Sequence, residues 1–352
     1  MATVDSARRE SSSRLYWADT AKAIAVVLVV LYHVSPIALV WLVDGESRGE
    51  ALIGEMSRAL LPVRMPLFFF VSGLLAVNAF ARPWRAVLQK RVINLLWVFV
   101  LWTVLYAFPY AYSAAAEDVE DILRRALLWA VNLSGAYWFL PMLVLMFVAM
   151  KLTQSVHPTI VLAAALVLRF GAGSIPVTEN IFLEDVRTTA YRFCMFFIWY
   201  AAGACATSLV PSIVSLSRIL WVPLIPLFGA LTFVTRQPAI VADLSFALSV
   251  VGIIIVIGMA ELIARSPRGR KVSRYVAMRT LPIYLLHAYM IVLLKSSGLR
   301  LPELTSVEAA LLVAFMTAGM TVLSCLIWDL LRPRAPLLFR APMVPNESPA
   351  RR

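Results

Sequence analysis

Charge is scarce in this chain: Asp, Glu, Lys and Arg together make up 15% of its 352 residues, against 61% hydrophobic residues and a mean hydropathy of +0.82. A soluble domain needs far more charge to cover its surface, so a water-soluble fold is excluded and an integral membrane protein is implied. Cysteine is nearly absent. Cys194, Cys205 and Cys325 all fall in apolar stretches, with neither metal-ligand spacing nor a soluble pairing context, and read as small apolar fillers. No metal site is expected. There is also no long repeat, low-complexity domain or fused soluble module. No cleaved signal pattern stands before the first apolar run, which is expected to remain as a signal anchor.

What the chain does have is long apolar runs. They read as Lys22–Val43, Leu60–Phe80, Val92–Tyr112, Tyr137–Leu152, Pro158–Phe170, Thr189–Leu209, Arg218–Thr235, Ala239–Ala264, Leu281–Leu294 and Ala309–Leu331. The expected fold is therefore all-α, a polytopic transmembrane helix bundle of about ten spans. Pro158–Phe170 and Leu281–Leu294 are shorter than the roughly 17 residues of a straight span, so each must extend into its flanks, thin the bilayer or re-enter. The organisation expected is an N-terminal segment over 1–18, one membrane domain over 19–332 and a tail over 333–352. Between the third and fourth spans, Asp118 to Val131 alternates charged and apolar residues at helical spacing, which predicts a helix lying on the surface.

Loop charge sets an orientation independently of hydropathy. With the N-terminus inside, Arg8, Arg9, Arg14, Lys22, Arg82, Arg85, Lys90, Arg91, Lys151, Arg218, the group from Arg265 to Arg279 and the C-terminal arginines all fall on the cytoplasmic side. The opposite side receives Asp44, Glu46, Glu50, Glu55, Glu117, Asp118, Glu120, Asp121, Glu179, Glu184, Asp185, Glu303 and Glu308. Both termini are thus expected in the cytoplasm of a multi-pass protein of the plasma (inner) membrane. The net charge of +12 reflects this orientation and contact with anionic lipid, and calls for no nucleic-acid partner.

Lys22 and His33 are eleven residues apart in the first span. At about 100° and 1.5 Å per residue they share a helix face, roughly 16 Å apart along the axis, with Asp19 on the same face. An ionisable side chain deep in a span marks a functional pathway by default. The other reading of His33 is a packing residue satisfied by a neighbouring carbonyl.

Three stretches carry a resemblance: Asp19-Thr-Ala-Lys22 through Tyr32-His33; Met65-Pro-Leu-Phe-Phe-Phe-Val-Ser72-Gly; and Leu281-Pro-Ile-Tyr284-Leu-Leu-His287, supported by Tyr137-Trp138-Phe-Leu-Pro141. Together they resemble the acyltransferase 3 family of membrane O-acyltransferases, over nearly the whole chain. The wording around Asp19 is similar to the stand-alone sugar O-acetylases. The resemblance implies His33 as catalytic base and acyl-CoA, acetyl-CoA in that group, as co-substrate, with no tightly bound cofactor. It implies Lys22, Arg82 and Arg85 as donor-binding groups, to which Arg91 adds positive charge on the same side of the membrane. The family more often has Arg where this chain has Lys22, which keeps the charge but loses the bidentate fork. The implied acceptor is a hydroxyl of a glycan or small molecule, giving O-acetylation of a cell-envelope polysaccharide as one outcome.

The remaining candidates each have a second reading. Arg82 and Arg85 could serve orientation alone. Ser72 with Gly73 suits close helix packing. Trp138 suits either an interfacial anchor or a platform for a sugar ring. His287, near Tyr284, suits a direct role or helix packing. Glu184, Asp185 and Arg192, with Arg169 and Arg187, suit a solvated ion-pair network or recognition of the acceptor. The competing function is a polytopic transporter of a small polar or anionic solute, which repeated halves would favour.

Overall fold

A computed structural model describes residues 2–43, 54–55, 57–113, 118–234 and 241–342. The acids Asp44, Glu46, Glu50 and Glu117 and the tail beyond Pro342 lie outside the described residues. The described residues are helical, apart from turns and one isolated parallel bridge between Val43 and Leu301. Helix is the only local answer for such runs in lipid, because each backbone N–H and C=O must be satisfied within the segment.

In chain order the helices are α1 (Ala2–His33), α2 (Leu39–Leu42), α3 (Leu61–Phe80), α4 (Trp84–Val87), α5 (Asn94–Ser113), α6 (Val119–Val131) and α7 (Phe139–Leu152). They continue as α8 (Pro158–Gly171), α9 (Ile181–Cys205), α10 (Val210–Val234), α11 (Val241–Arg265), α12 (Pro267–Ala277), α13 (Thr280–Ser296) and α14 (Ser306–Leu331). Five stretches are long and apolar enough to cross a bilayer: Leu61–Phe80, Trp84–Ala111, Val210–Val234, Leu244–Arg265 and Ser306–Leu331. A sixth arises if α12 and α13, bent by 64° at their junction, are counted together. The protein is multi-pass by this measure. The two short runs are helices: α8 stays short at 14 residues, whereas Leu281–Leu294 extends at both ends into the 17 residues of α13.

The predicted surface helix is α6. Asp118 Oδ1 accepts from Asp121 N at 2.8 Å and so caps its first turn.

The chain falls into two compact units, one of Met1–Leu74 with Trp199–Cys325, the other of Leu75–Ile198 with Leu326–Arg352. In the first, α1 packs against α11, α12 and α13, and α10 against α11. Glycine sets these approaches. A Cβ on Gly73 would collide with the Tyr200 carbonyl, and one on Gly203 with that of Phe70, so α3 and α9 meet backbone to backbone. The close packing expected around Ser72-Gly73 is thus found at Gly73.

The first apolar run is not one straight helix. α1 ends at His33 and continues through a π-helical turn, Val34–Ala38, into α2. Pro36 lies inside that turn and has no amide hydrogen to donate, which breaks the regular ladder one turn from His33. The end of α2 is then tied down: Leu301 N donates to Leu42 O at 2.6 Å and Arg300 Nη1 to Trp41 O at 2.6 Å.

In the second unit α5 packs against α6 and α7. The segment after α14 folds onto α5, where Trp97 Nε1 donates to Leu337 O at 2.9 Å and Trp102 Nε1 to Leu338 O at 2.6 Å. Phe339 fills the space between Trp102 and Trp328, with ring centroids at 5.8 and 4.6 Å.

Candidate functional site

Two imidazoles meet inside the first unit. His287 of α13 is fully buried, His33 at the end of α1 is half-buried, and their ring centroids are 5.1 Å apart. Both sit on apolar helices for the same local reason: an Nδ1 can reach back one turn to a main-chain carbonyl. His33 Nδ1 lies 2.8 Å from Val29 O, and His287 Nδ1 lies 2.8 Å from Ile283 O.

Those contacts fix the tautomers, because a carbonyl oxygen only accepts. Each Nδ1 carries the hydrogen, and each Nε2 is left with a lone pair. His287 Nε2 lies 3.3 Å from His33 Nδ1 and accepts from it, so the His33 N–H is shared between Val29 O and His287. Among the described residues His33 Nε2 has no hydrogen-bond partner. The pair therefore holds one imidazole by its proton-bearing nitrogen and leaves the basic nitrogen free, which is the arrangement a general base requires.

Aromatic rings line the pair. Tyr32 and His33 meet T-shaped with centroids 5.3 Å apart, and Tyr284 is 5.9 Å from His287. Arg64 of α3, buried to 9% exposure, places its Cζ 3.6 Å from the centroid of Tyr32. Sequence reading passed over Arg64, although a guanidinium inside the Leu60–Phe80 run carries the same signal as His33 does in its own run.

Toward the other end of the shared face of α1 lie Lys22 and Asp19, both half-buried. Burial raises the Asp19 carboxyl above its ordinary range, opposed by the charges of Lys22 and of Arg274 on α12. Arg270, also on α12, lies over Tyr16 at 5.1 Å. The charged end of α1 thus gains basic neighbours from α12 that the spacing of Lys22 and His33 did not reveal.

The second unit holds the other sequence candidates. Arg82, on the turn after α3, and Arg85, in α4, are exposed. That turn is pinned by Lys151 of α7, only 3% exposed, whose Nζ donates to Phe80 O at 2.7 Å and Arg82 O at 2.6 Å. Arg91 reaches Leu75 O at 3.4 Å. Trp138 is stacked on Phe196 at 6.0 Å and carries Arg192 over its ring at 4.5 Å. Asp185 accepts from Asn132 Nδ2 and Ser134 Oγ, each at 3.3 Å, while Glu184 pairs with Arg187, which holds the Glu184 carboxyl below its usual range. Glu184 and Asp185 thus have separate partners. Ser72 is half-buried beside Gly73 in the first unit.

Among the described residues no three His, Cys, Asp or Glu side chains gather in a way that could hold a metal ion, and Cys194, Cys205 and Cys325 form no disulfide. A family model described as an acyltransferase domain matches residues 15–329. No curated protein and no solved structure matches the chain.

Proposed function

The chain belongs to the acyltransferase 3 family and is a membrane acyltransferase; on that premise we propose that it moves an acyl group, acetyl in the first instance, from acyl-CoA to a hydroxyl of a glycan or other acceptor, with His33 as the base. The observation that carries this reading is the anchored His33 ring, held at Nδ1 by Val29 O and His287 Nε2 with its Nε2 free.

In the proposed reaction the acceptor hydroxyl gives its proton to His33 Nε2 as its oxygen bonds to the thioester carbonyl carbon. The carbon–sulfur bond then breaks, its electron pair leaves with sulfur, and the proton on His33 passes to that sulfur. Ester and free thiol are the products. His287 would hold the ring in register and share the charge that forms on it.

Donor phosphates would be met by Lys22, Arg82, Arg85 and Arg91, all basic side chains of cytoplasmic loops or span ends in the charge-based topology. That topology would have about ten spans in the plasma membrane and both termini in the cytoplasm. Glu184, Asp185, Arg192 and Trp138 would face the acceptor on the other side, with Asp19, Ser72 and Tyr284 supporting the arrangement.

The test is direct. Protein purified into liposomes and given radiolabelled acetyl-CoA with an envelope-glycan fraction should release free thiol and label the glycan. Solute flux with no consumption of thioester would overturn the proposal and favour transport.

A further inference from the structure

Arg64 is a guanidinium with an incomplete environment. Its Nε and Nη1 are sealed from solvent and hydrogen-bonded to nothing, and none of the ion pairs among the described residues includes it. It lies over the face of Tyr32, with which it also has a side-chain hydrogen bond, and Tyr284 is within its field; Nε and Nη1 remain unsatisfied. A cation–π contact offsets only part of what burying a guanidinium costs, and a buried charge without a hydrogen-bonded counter-ion is rarely kept unless something completes it. The helix could have carried Leu or Met there instead.

Its position says what would complete it. Tyr32 carries Arg64 over its face and meets His33 in a T-shaped contact, so cation and base both lie against one ring. A base that takes a hydroxyl proton must lie beside the carbonyl carbon being attacked, and that is where negative charge appears on oxygen.

We propose that Arg64 is a further catalytic residue, the cation that stabilises the carbonyl oxygen of the thioester as it becomes an oxyanion. The inference rests on the acyl-transfer reading above. As the acceptor oxygen bonds to the carbonyl carbon, the π pair moves onto the carbonyl oxygen, opposite Arg64, while the hydroxyl proton goes to His33 Nε2. The pair then returns to re-form the carbonyl as the carbon–sulfur bond breaks and sulfur takes the proton. Charge that is absent in the ground state and present in the transition state is what a preorganised cation in a water-poor site favours.

The experiment compares wild type, Arg64→Gln, Arg64→Lys and Arg64→Ala in proteoliposomes, with radiolabelled acetyl-CoA and an envelope-glycan fraction as acceptor. Arg64→Gln should lower kcat by about 10²–10³ with the donor KM changed less than about threefold. Arg64→Lys should fall between, and added guanidinium ion should restore part of the Arg64→Ala rate, which a merely structural role would not allow.

Four outcomes overturn the inference: an Arg64→Gln kcat near wild type; a loss that follows a lowered melting temperature and ignores guanidinium; a rise in acceptor KM alone, which would place Arg64 on an anionic group of the acceptor; and a wild type that moves no label. The last overturns the acyl-transfer reading as well, whereas the first three leave it standing.

Discussion

His287 Nε2 lies 3.3 Å from His33 Nδ1, and the two residues are 254 positions apart in the chain. One ring thereby becomes the fixture of the other. Neither needs a carboxylate, because each Nδ1 hydrogen is already directed at a carbonyl of its own helix.

Removing the fixture should slow the chemistry more than binding. His287→Ala is expected to reduce kcat by about 10–100-fold, the usual scale for losing a group that orients an active imidazole, with little change in donor KM. His287→Asn, which can still accept from His33 through its amide oxygen, should recover part of the loss. Equal defects in the two variants would argue that the ring serves packing alone.

Lys151 tests the donor side. Its ammonium satisfies two carbonyls at the end of α3 and pairs with no carboxylate among the described residues, so Lys151→Met would leave Phe80 O and Arg82 O orphaned. A loss of about 1–3 kcal/mol per stranded buried group is expected in denaturation, together with a raised donor KM as the Arg82–Arg85 turn loosens. A stability loss with unchanged KM would separate this turn from donor binding.

Close packing of α3 on α9 should be intolerant of a methyl group. Gly73→Ala and Gly203→Ala each place a Cβ on a facing carbonyl, and thermal melting should show destabilisation of about 1–3 kcal/mol for either. Melts at the wild-type temperature would contradict the close approach.

Asp19 gives a pH signature. Burial raises its carboxyl above 3.8 in the folded protein, so folding binds that proton more tightly than the unfolded chain does. The stability it contributes is present below the unfolded value and is lost as pH rises through the raised one. Asp19→Asn should remove that fall, so that relative to wild type the variant gains melting temperature as pH rises across that acid range, and it should melt no lower than wild type at neutral pH. A variant that instead loses melting temperature relative to wild type as pH rises would show that Lys22 and Arg274 outweigh burial.

Much of this architecture is written locally. Mean hydropathy and the length of the apolar runs disclose a helical membrane protein, and the alternation of charged and apolar residues from Asp118 discloses α6, because both depend on near neighbours only. The π-helical turn after His33 is less visible, since Pro36 alone does not say whether a helix kinks, ends or widens. The pairing of His33 with His287 is invisible for a different reason: it is made by the packing of α1 on α13, and no spacing along the chain encodes it. Arg64 stood in plain view inside an apolar run, yet lost out to the residues of the neighbouring Met65–Gly73 wording. In the sequence Lys151 is one more loop charge, whereas burial makes it a clamp on main-chain oxygens.

The account stands on His33 Nε2 as the proton acceptor, and the most direct measurement is the rate of label transfer from radiolabelled acetyl-CoA by His33→Ala, in protein that inserts and melts as wild type does. A fall of about 10²–10⁴-fold or more is expected. Turnover near that of wild type would contradict it.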